Sequence, residues 1–268
     1  MNLARFFWVV LVAVGVSGIA LAEEKAGESR VLKADYRPRP PEMVVAEGEQ
    51  ISGPLKDILE EAAGRHGFRV EWRVVPFPQS LHDLETGQVD VVPRVVRTVE
   101  REAFVRFLGP IGFQDKDIQF LVRKGQEGRI RTYEDLKGLV VGVKLATAYF
   151  DPFDADATLH KETSSDDHTL ARMFIGGRFD TVAILDRQAM EGVLTGLGFR
   201  DYAFAEYRFR QRLGNFYGQS AKSRHAELFP KLNESLAEMA ASGRVAAIYR
   251  VHNVDAPILD ADAPPLGH

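Results

Sequence analysis

Apolar positions along the chain fall into two successive runs that switch between strand and helix spacing. In the first run Val31–Asp35 reads as a strand, followed by a proline-rich loop over Tyr36–Pro41. Ser52 predicts a helix start, with Pro54 in the first turn. Leu55, Ile58, Leu59, Ala62 and Ala63 then recur at helical spacing, and Gly64 and Gly67 end the helix. Phe68, Val70, Trp72 and Val74 alternate as in a strand. Ser80 predicts a cap for a short helix carrying Leu81 and Leu84, closed by Gly87. Val89–Pro93 is a compact apolar strand, and Thr98 predicts the cap of the next helix. A β-α-β-α-β order implies a parallel sheet covered by helices.

The second run repeats the order. Ile118–Val122 reads as a strand. Thr132 and Asp135 resemble a capping box, and Gly138 stops that short helix. Leu139–Val143 reads as a buried strand. Ser164 or Ser165 predicts the cap of a helix with Leu170, Met173 and Phe174. Asp180–Leu185 is a strand, and Met190, Val193 and Leu194 mark another helix. Tyr202–Tyr207 and Leu213–Tyr217 read as strands. Glu227–Ser242 is amphipathic, with Phe229, Leu232, Leu236 and Met239 on one face, and a shorter helix carries Val245, Ile248 and Tyr249. Residues 255–268, rich in Ala, Pro and Asp, are expected to be a disordered tail. The chain is thus α/β, with two units of similar size and no Gly-Ser linker between them. Two lobes joined this way enclose a cleft, where small ligands bind.

Composition adds a location. Arg5, the apolar stretch from Phe6 and the Ala20-Leu21-Ala22 triplet form a secretory signal peptide over residues 1–22, cut after Ala22. A membrane anchor is the alternative; the apolar run is short for a span and Gly15, Ser17 and Gly18 break it. The expected product is free in the periplasm and, without a cysteine at the cleavage site, carries no lipid anchor. The net charge of −4 argues against nucleic acid or an anionic membrane as partner. With 0 cysteines, an exported chain must rely on its core rather than on disulfides.

The candidate chemistry starts at Arg101. It sits in the first turn after Thr98, between Glu100 and Glu102, where free backbone N–H groups attract an anion and a guanidinium fork fits a carboxylate. The competing reading is a solvated helix charge paired with a glutamate. No metal site is expected: the 7 histidines are scattered, and Asp151, Asp154 and Asp156 lack the glycine and terminal glutamate of a calcium loop. There is no G-x-S-x-G, no phosphate-binding glycine loop and no cysteine nucleophile. No catalytic residue and no cofactor is expected.

Several motifs in order carry a family resemblance. They are Gly53 with Asp57-Ile58, Leu84-x-x-Gly87-x-Val89-Asp90, Thr98-x-Glu100-Arg101 with Phe107, and Asp135-Leu136-Lys137-Gly138 with Val141-Gly142-Val143. Gly177-Arg178-Phe179-Asp180 and Ser242-Gly243-Arg244 with Ile248-Tyr249 complete the set. Over about Val31–Val251 the chain resembles the family 3 extracellular solute-binding proteins, periplasmic receptors of amino-acid ABC importers. The resemblance implies two lobes, each a mostly parallel sheet flanked by helices, joined by two crossing strands. Lobe one would be 31–117 plus 214–254, and lobe two 118–213. A ligand would pull the lobes shut about the hinge.

The same resemblance gives Arg101 the ligand's carboxylate. It assigns Thr147 to the same anion, where relatives often read Gly-Thr-Thr; the alternative is that Thr147 only caps a possible helix. Asp186 stands one residue late for the ligand's ammonium group and is also a natural helix N-cap. Tyr36 is the aromatic near the first strand that would stack on the ligand, although Arg39 follows Pro38 where Phe is usual. Val96 replaces a ligand-contacting Ser or Thr. Arg94 either adds positive charge to the cleft or faces solvent. Three arginines (Arg39, Arg94 and Arg101) facing one cleft would suit a ligand more anionic than an α-amino acid, such as a dicarboxylate or an acidic amino acid. The expected protein is a monomeric receptor that passes a small anionic ligand to a membrane permease. A sensory role and a dehydratase on the same fold, for which Glu191 and Asp186 are the nearest acids, are the alternatives.

Overall fold

The computed structural model describes residues 30–259; residues 1–29, with the expected signal peptide and cleavage site, and residues 260–268 lie outside the described residues. The strands in chain order are β1 (Val31–Tyr36), β2 (Val44–Val45), β3 (Ile51–Ser52), β4 (Arg69–Val74), β5 (Val91–Pro93), β6 (Val105–Leu108) and β7 (Phe113–Asp115). The rest are β8 (Ile118–Arg123), β9 (Val140–Lys144), β10 (His160–Ser164), β11 (Thr181–Ile184), β12 (Tyr202–Phe209), β13 (Arg212–Gly214) and β14 (Tyr217–Ser220). The helices are α1 (Pro54–Gly64), α2 (Phe77–Thr86), α3 (Val99–Glu102), α4 (Asp167–Ile175), α5 (Arg187–Gly196), α6 (Phe229–Ala241) and α7 (Arg244–Val251).

Two five-stranded sheets result, ordered β4-β1-β5-β14-β6 and β10-β9-β11-β8-β12. Each has a parallel half. In the first, β1 pairs in parallel with β4 and β5; in the second, β9 pairs in parallel with β10 and β11. Returning strands complete both in antiparallel fashion, β14 between β5 and β6, and β8 between β11 and β12. Between the sheets the chain crosses twice, through the antiparallel pair β7 and β13, with Gln114 opposite Leu213. This is a two-lobed molecule with a two-strand hinge.

Apolar faces settle each sheet between layers. One face of the first sheet buries Leu32, Tyr36 and Tyr217 against Ile58, Leu59, Leu232, Leu236, Met239 and Tyr249 from α1, α6 and α7. Its other face packs Val92 and Val105 on Leu84 of α2. In the second sheet, Phe120 and Val141 meet the aromatic loop residues Tyr149, Phe150 and Phe153, while Leu121 and Val182 meet α4 and α5. Each such fully buried side chain contributes about 1.5–3 kcal/mol.

Local chemistry moved several expected boundaries. Ser52 does not start α1; it belongs to the short β3, and Gly53 at φ 138° is the cap. There the Glu42 carbonyl occupies the space a Cβ would need, so only glycine fits. Ser80 lies buried inside α2, which starts at Phe77 after Pro76. Asp166, rather than Ser164 or Ser165, caps α4 by accepting from Thr169 N at 2.7 Å. The capping box of Thr132 and Asp135 is formed, on a single 3-10 turn. The tail expected from Asp255 begins as paired chain, with Ile258 exchanging two 2.8 Å backbone hydrogen bonds with Phe113 of the hinge.

Gly142 in β9 shows how tightly the second lobe is packed. A Cβ there would lie 2.5 Å from the buried ring of Phe179. Gly142→Ala is expected to destabilise the protein by about 1–3 kcal/mol through overpacking. Calorimetry should show a melting midpoint lower by at least a few degrees; an unchanged midpoint would mean that the ring swings aside without cost.

Candidate functional site

The loops that leave the C-terminal ends of β1, β5, β9 and β11 converge between the lobes, at the usual ligand position of open α/β sheets. Two of them are held in the left-handed region by non-glycine residues, Arg94 at φ 61° and Ala146 at φ 57°. Such conformations cost free energy and gather at binding sites. Here each aims a carbonyl at an arginine of the site: Arg94 O accepts from Arg37 Nη2 at 2.9 Å, and Ala146 O accepts from Arg101 Nη2 at 2.9 Å.

Arg101 is 7% exposed, so the solvated-charge reading is overturned. Its α-helix is one turn long, and its own N–H is already taken by Thr98 Oγ1 at 3.3 Å. The guanidinium, not the helix end, is therefore the candidate grip. Nη1 donates to Val96 O at 2.7 Å within the first lobe, and Nη2 reaches the second lobe at Ala146. The guanidinium carbon also lies 5.6 Å from the centre of the Phe77 ring. Burial lowers the Arg101 pKa, opposed by Glu100 and Asp154 at longer range. Among the described residues no carboxylate pairs with it directly. Arginine does not shed its proton in a protein, so this is a buried cation satisfied by carbonyl dipoles and the Phe77 ring.

Thr147 follows on the same loop and is half-buried. No helix begins there, so the alternative capping role falls away. Thr147 N instead closes a turn onto Lys144 O at 3.2 Å. The loop is fixed from below: Tyr149 OH accepts from Lys144 N, Asp154 accepts from Tyr149 N, and Phe150 stacks on Phe209 with centroids 4.0 Å apart. Asp154 and Asp156 of this loop are thus structural acceptors, and no metal-binding group of acids and histidines exists among the described residues.

Arg94 points inward. It is 6% exposed, with Nη2 donating to Gln114 Oε1 at 2.8 Å and Nε 3.4 Å from Glu42 Oε2. Glu42 also accepts from Gln114 Nε2 and Tyr249 OH. Burial pushes the Glu42 carboxyl up, but Arg94 and Arg39, with those two hydrogen bonds, outweigh it and hold the pKa below its ordinary value. Arg94 is therefore neutralised within lobe and hinge, and is a support of the cleft more than a free anion grip.

Asp186 caps α5, accepting from Ala189 N at 3.2 Å. Its other oxygen lies 3.9 Å from Arg39 Nη2 across the cleft. Tyr36 corrects an expectation. It is 1% exposed in the core of the first lobe, donates to Ser52 O at 2.7 Å and meets Trp72 edge to face. As the last residue of β1 it faces the α1 layer, so it cannot stack on a ligand.

Sequence reasoning missed Arg37, Glu42, Phe77 and Gln114. The Arg37 guanidinium lies 3.9 Å over the Phe77 ring and donates to Pro93 O and Arg94 O. Burial depresses its pKa well below the usual value, and the like charges of Arg39, Arg94 and Arg101 add to that. The one available signal was the Arg37-Pro38-Arg39 spacing just after a strand. Four arginines thus gather at one cleft, facing two carboxylates, Glu42 and Asp186.

A hinged pair of α/β lobes with a cationic cleft defines a solute-binding protein. The model of bacterial extracellular solute-binding proteins, family 3, matches residues 32–253, and the chain belongs to that family. It is 26% identical over 211 residues to the L-cystine-binding protein TcyJ of Escherichia coli (strain K12), covering 78% of this chain and 77% of that one. The putative amino-acid ABC transporter-binding protein PatH of Vibrio harveyi is 24% identical over 247 residues, 88% of this chain and 94% of its own. Among solved structures, the arginine-bound truncated ArgBP of T. maritima superposes with a TM-score of 0.64 at 22% identity, covering 81% of this chain and 99% of that one. AbpA of Streptococcus pneumoniae bound to L-arginine gives 0.66 at 18% identity, covering 85% and 97%. These relatives are binding proteins.

Proposed function

We propose that the chain captures a small anionic ligand, an amino acid or a carboxylate, between its lobes and delivers it to the permease of an ABC importer. The observation that carries this reading is the Arg101 guanidinium, buried, touching both lobes and facing no carboxylate of its own. A ligand carboxylate there would gain a charge-assisted fork and bridge the lobes, which is how a hinge closes on a ligand. Segments 31–117 with 214–254, and 118–213, are the two bodies that close. Thr147 would share the same anion from the second lobe. Relatives named for cystine and arginine support an amino-acid-sized ligand, while four arginines disfavour a cationic one. The protein acts as a monomeric binding protein rather than an enzyme, and works in the periplasm after loss of residues 1–22.

The test is a thermal-shift screen of the secreted protein against the standard amino acids, dicarboxylates and ring carboxylates. A ligand at about 100 times its dissociation constant adds roughly 2.7 kcal/mol. At about 2–4 °C per kcal/mol this raises the midpoint by roughly 5–10 °C. No shift from any compound would sink the reading.

A further inference from the structure

Charge pairing within the cleft narrows the class of ligand it can take. Both cleft carboxylates are already engaged. Glu42 holds Arg94, Gln114 and Tyr249. Asp186 caps α5 and faces Arg39 Nη2. A ligand ammonium group would have to displace a guanidinium to reach Glu42, and would meet the like charge of Arg39 at Asp186. The two other arginines, Arg37 and Arg101, contact backbone carbonyls and the Phe77 ring instead of acids. One donor is also stranded: Arg39 Nε is buried and has no acceptor among the described residues. A buried unsatisfied N–H carries a desolvation cost that needs an explanation, and a ligand oxygen would supply the missing acceptor. The open donors stand on separate elements, Arg39 on the loop after β1 and Arg101 on α3.

Resting on the binding function proposed above, we propose that the cleft selects a small dicarboxylate without an ammonium group, and that Arg39 is the residue that sets this specificity. Arg101 takes one carboxylate. Arg39 takes the other through its stranded Nε–H, while its Nη2 keeps Asp186 neutralised and closed to cations. In effect the protein supplies the positive charge that an α-amino acid would bring. Removing Arg39 uncovers Asp186 and removes the second anion grip at once, so it should shift preference from dicarboxylates toward amino acids.

The experiment is titration calorimetry of the secreted protein with succinate, glutarate, L-glutamate, L-arginine and inorganic sulfate. Wild type is expected to bind succinate or glutarate at least 10-fold more tightly than L-glutamate, and L-arginine not measurably. In Arg39→Ala the dicarboxylate-to-glutamate ratio is expected to fall at least 10-fold. Asp186→Asn is a second variant that keeps the helix cap, since Asn caps as well as Asp. It releases Arg39 from its facing carboxylate, so dicarboxylate binding is expected to tighten, with no gain for L-glutamate. L-glutamate or L-arginine bound as tightly as the dicarboxylates by wild type, with loss in Arg101→Ala, would overturn this inference and leave the binding function standing. Sulfate matching the dicarboxylates would also overturn it, as a general anion site. Silence across the panel would overturn this inference, and the wider thermal-shift screen would then decide the binding function separately. An Arg39→Ala ratio equal to wild type, or a more than 10-fold loss of dicarboxylate in Asp186→Asn, would remove Arg39 from its role.

Discussion

Arg101→Ala is expected to weaken, by about 30-fold or more, the binding of any compound that shifts the wild-type midpoint. Truncating one partner of a desolvated, hydrogen-bonded charge pair costs roughly 2–5 kcal/mol, and each 1.4 kcal/mol is tenfold. The folded state itself should change little. The side chain gives up hydrogen bonds to Val96 O and Ala146 O, but a buried cation with no direct acidic partner disappears with them. The two effects oppose, so the unliganded midpoint should stay within a few degrees of wild type. Arg101→Lys keeps the charge and loses the planar fork, so an intermediate loss of about tenfold is expected. Titration calorimetry of both variants, with melting curves as the folding control, decides it. An Ala variant that binds within tenfold of wild type would take Arg101 out of the site.

The lobes were legible because each rests on local rules. Apolar spacing placed α1 and α6, and a four-residue capping signal placed the turn at Thr132. What failed was either exposed or long-range. Strand β10, His160–Ser164, is a polar edge strand with a single buried residue, so it carries no hydrophobic period to detect. The returning strand read as Leu213–Tyr217 is two strands, split where the hinge ends at Gly214 and the first sheet resumes at Tyr217. Arg101 was singled out through its motif, and the structure buries its side chain. Tyr36 was misread because its role depends on which face of β1 meets α1, which one residue cannot tell. Arg37 and Glu42 were invisible for a related reason. Their partners lie about fifty residues or more away, at Pro93, Arg94 and Gln114, and only the folded sheet brings them together.

The first lobe and the hinge meet at Glu42, and its loss is expected to be strongly destabilising. Glu42 lies 3.4 Å from the buried Arg94, accepts from Gln114 of hinge strand β7, and accepts from Tyr249 of α7. Glu42→Gln leaves Arg94 buried without its paired carboxylate. Breaking a buried pair from one side typically costs about 3–5 kcal/mol. For a chain of this size that is a melting midpoint lower by roughly 10 °C. Adding Arg94→Met should recover most of the loss, because removing both charges also removes their desolvation cost. The pH dependence has a definite sign. The folded Glu42 pKa lies below the ordinary 4.5, so its stabilisation is complete above pH 4.5 and is lost as pH falls through the lower, folded value. The gap between wild type and Glu42→Gln should therefore be full at neutral pH and narrow as the medium is acidified below 4.5. Calorimetric midpoints across that range check it. A gap that stays constant into acid would mean that Glu42 holds the hinge by its hydrogen bonds alone, without its charge.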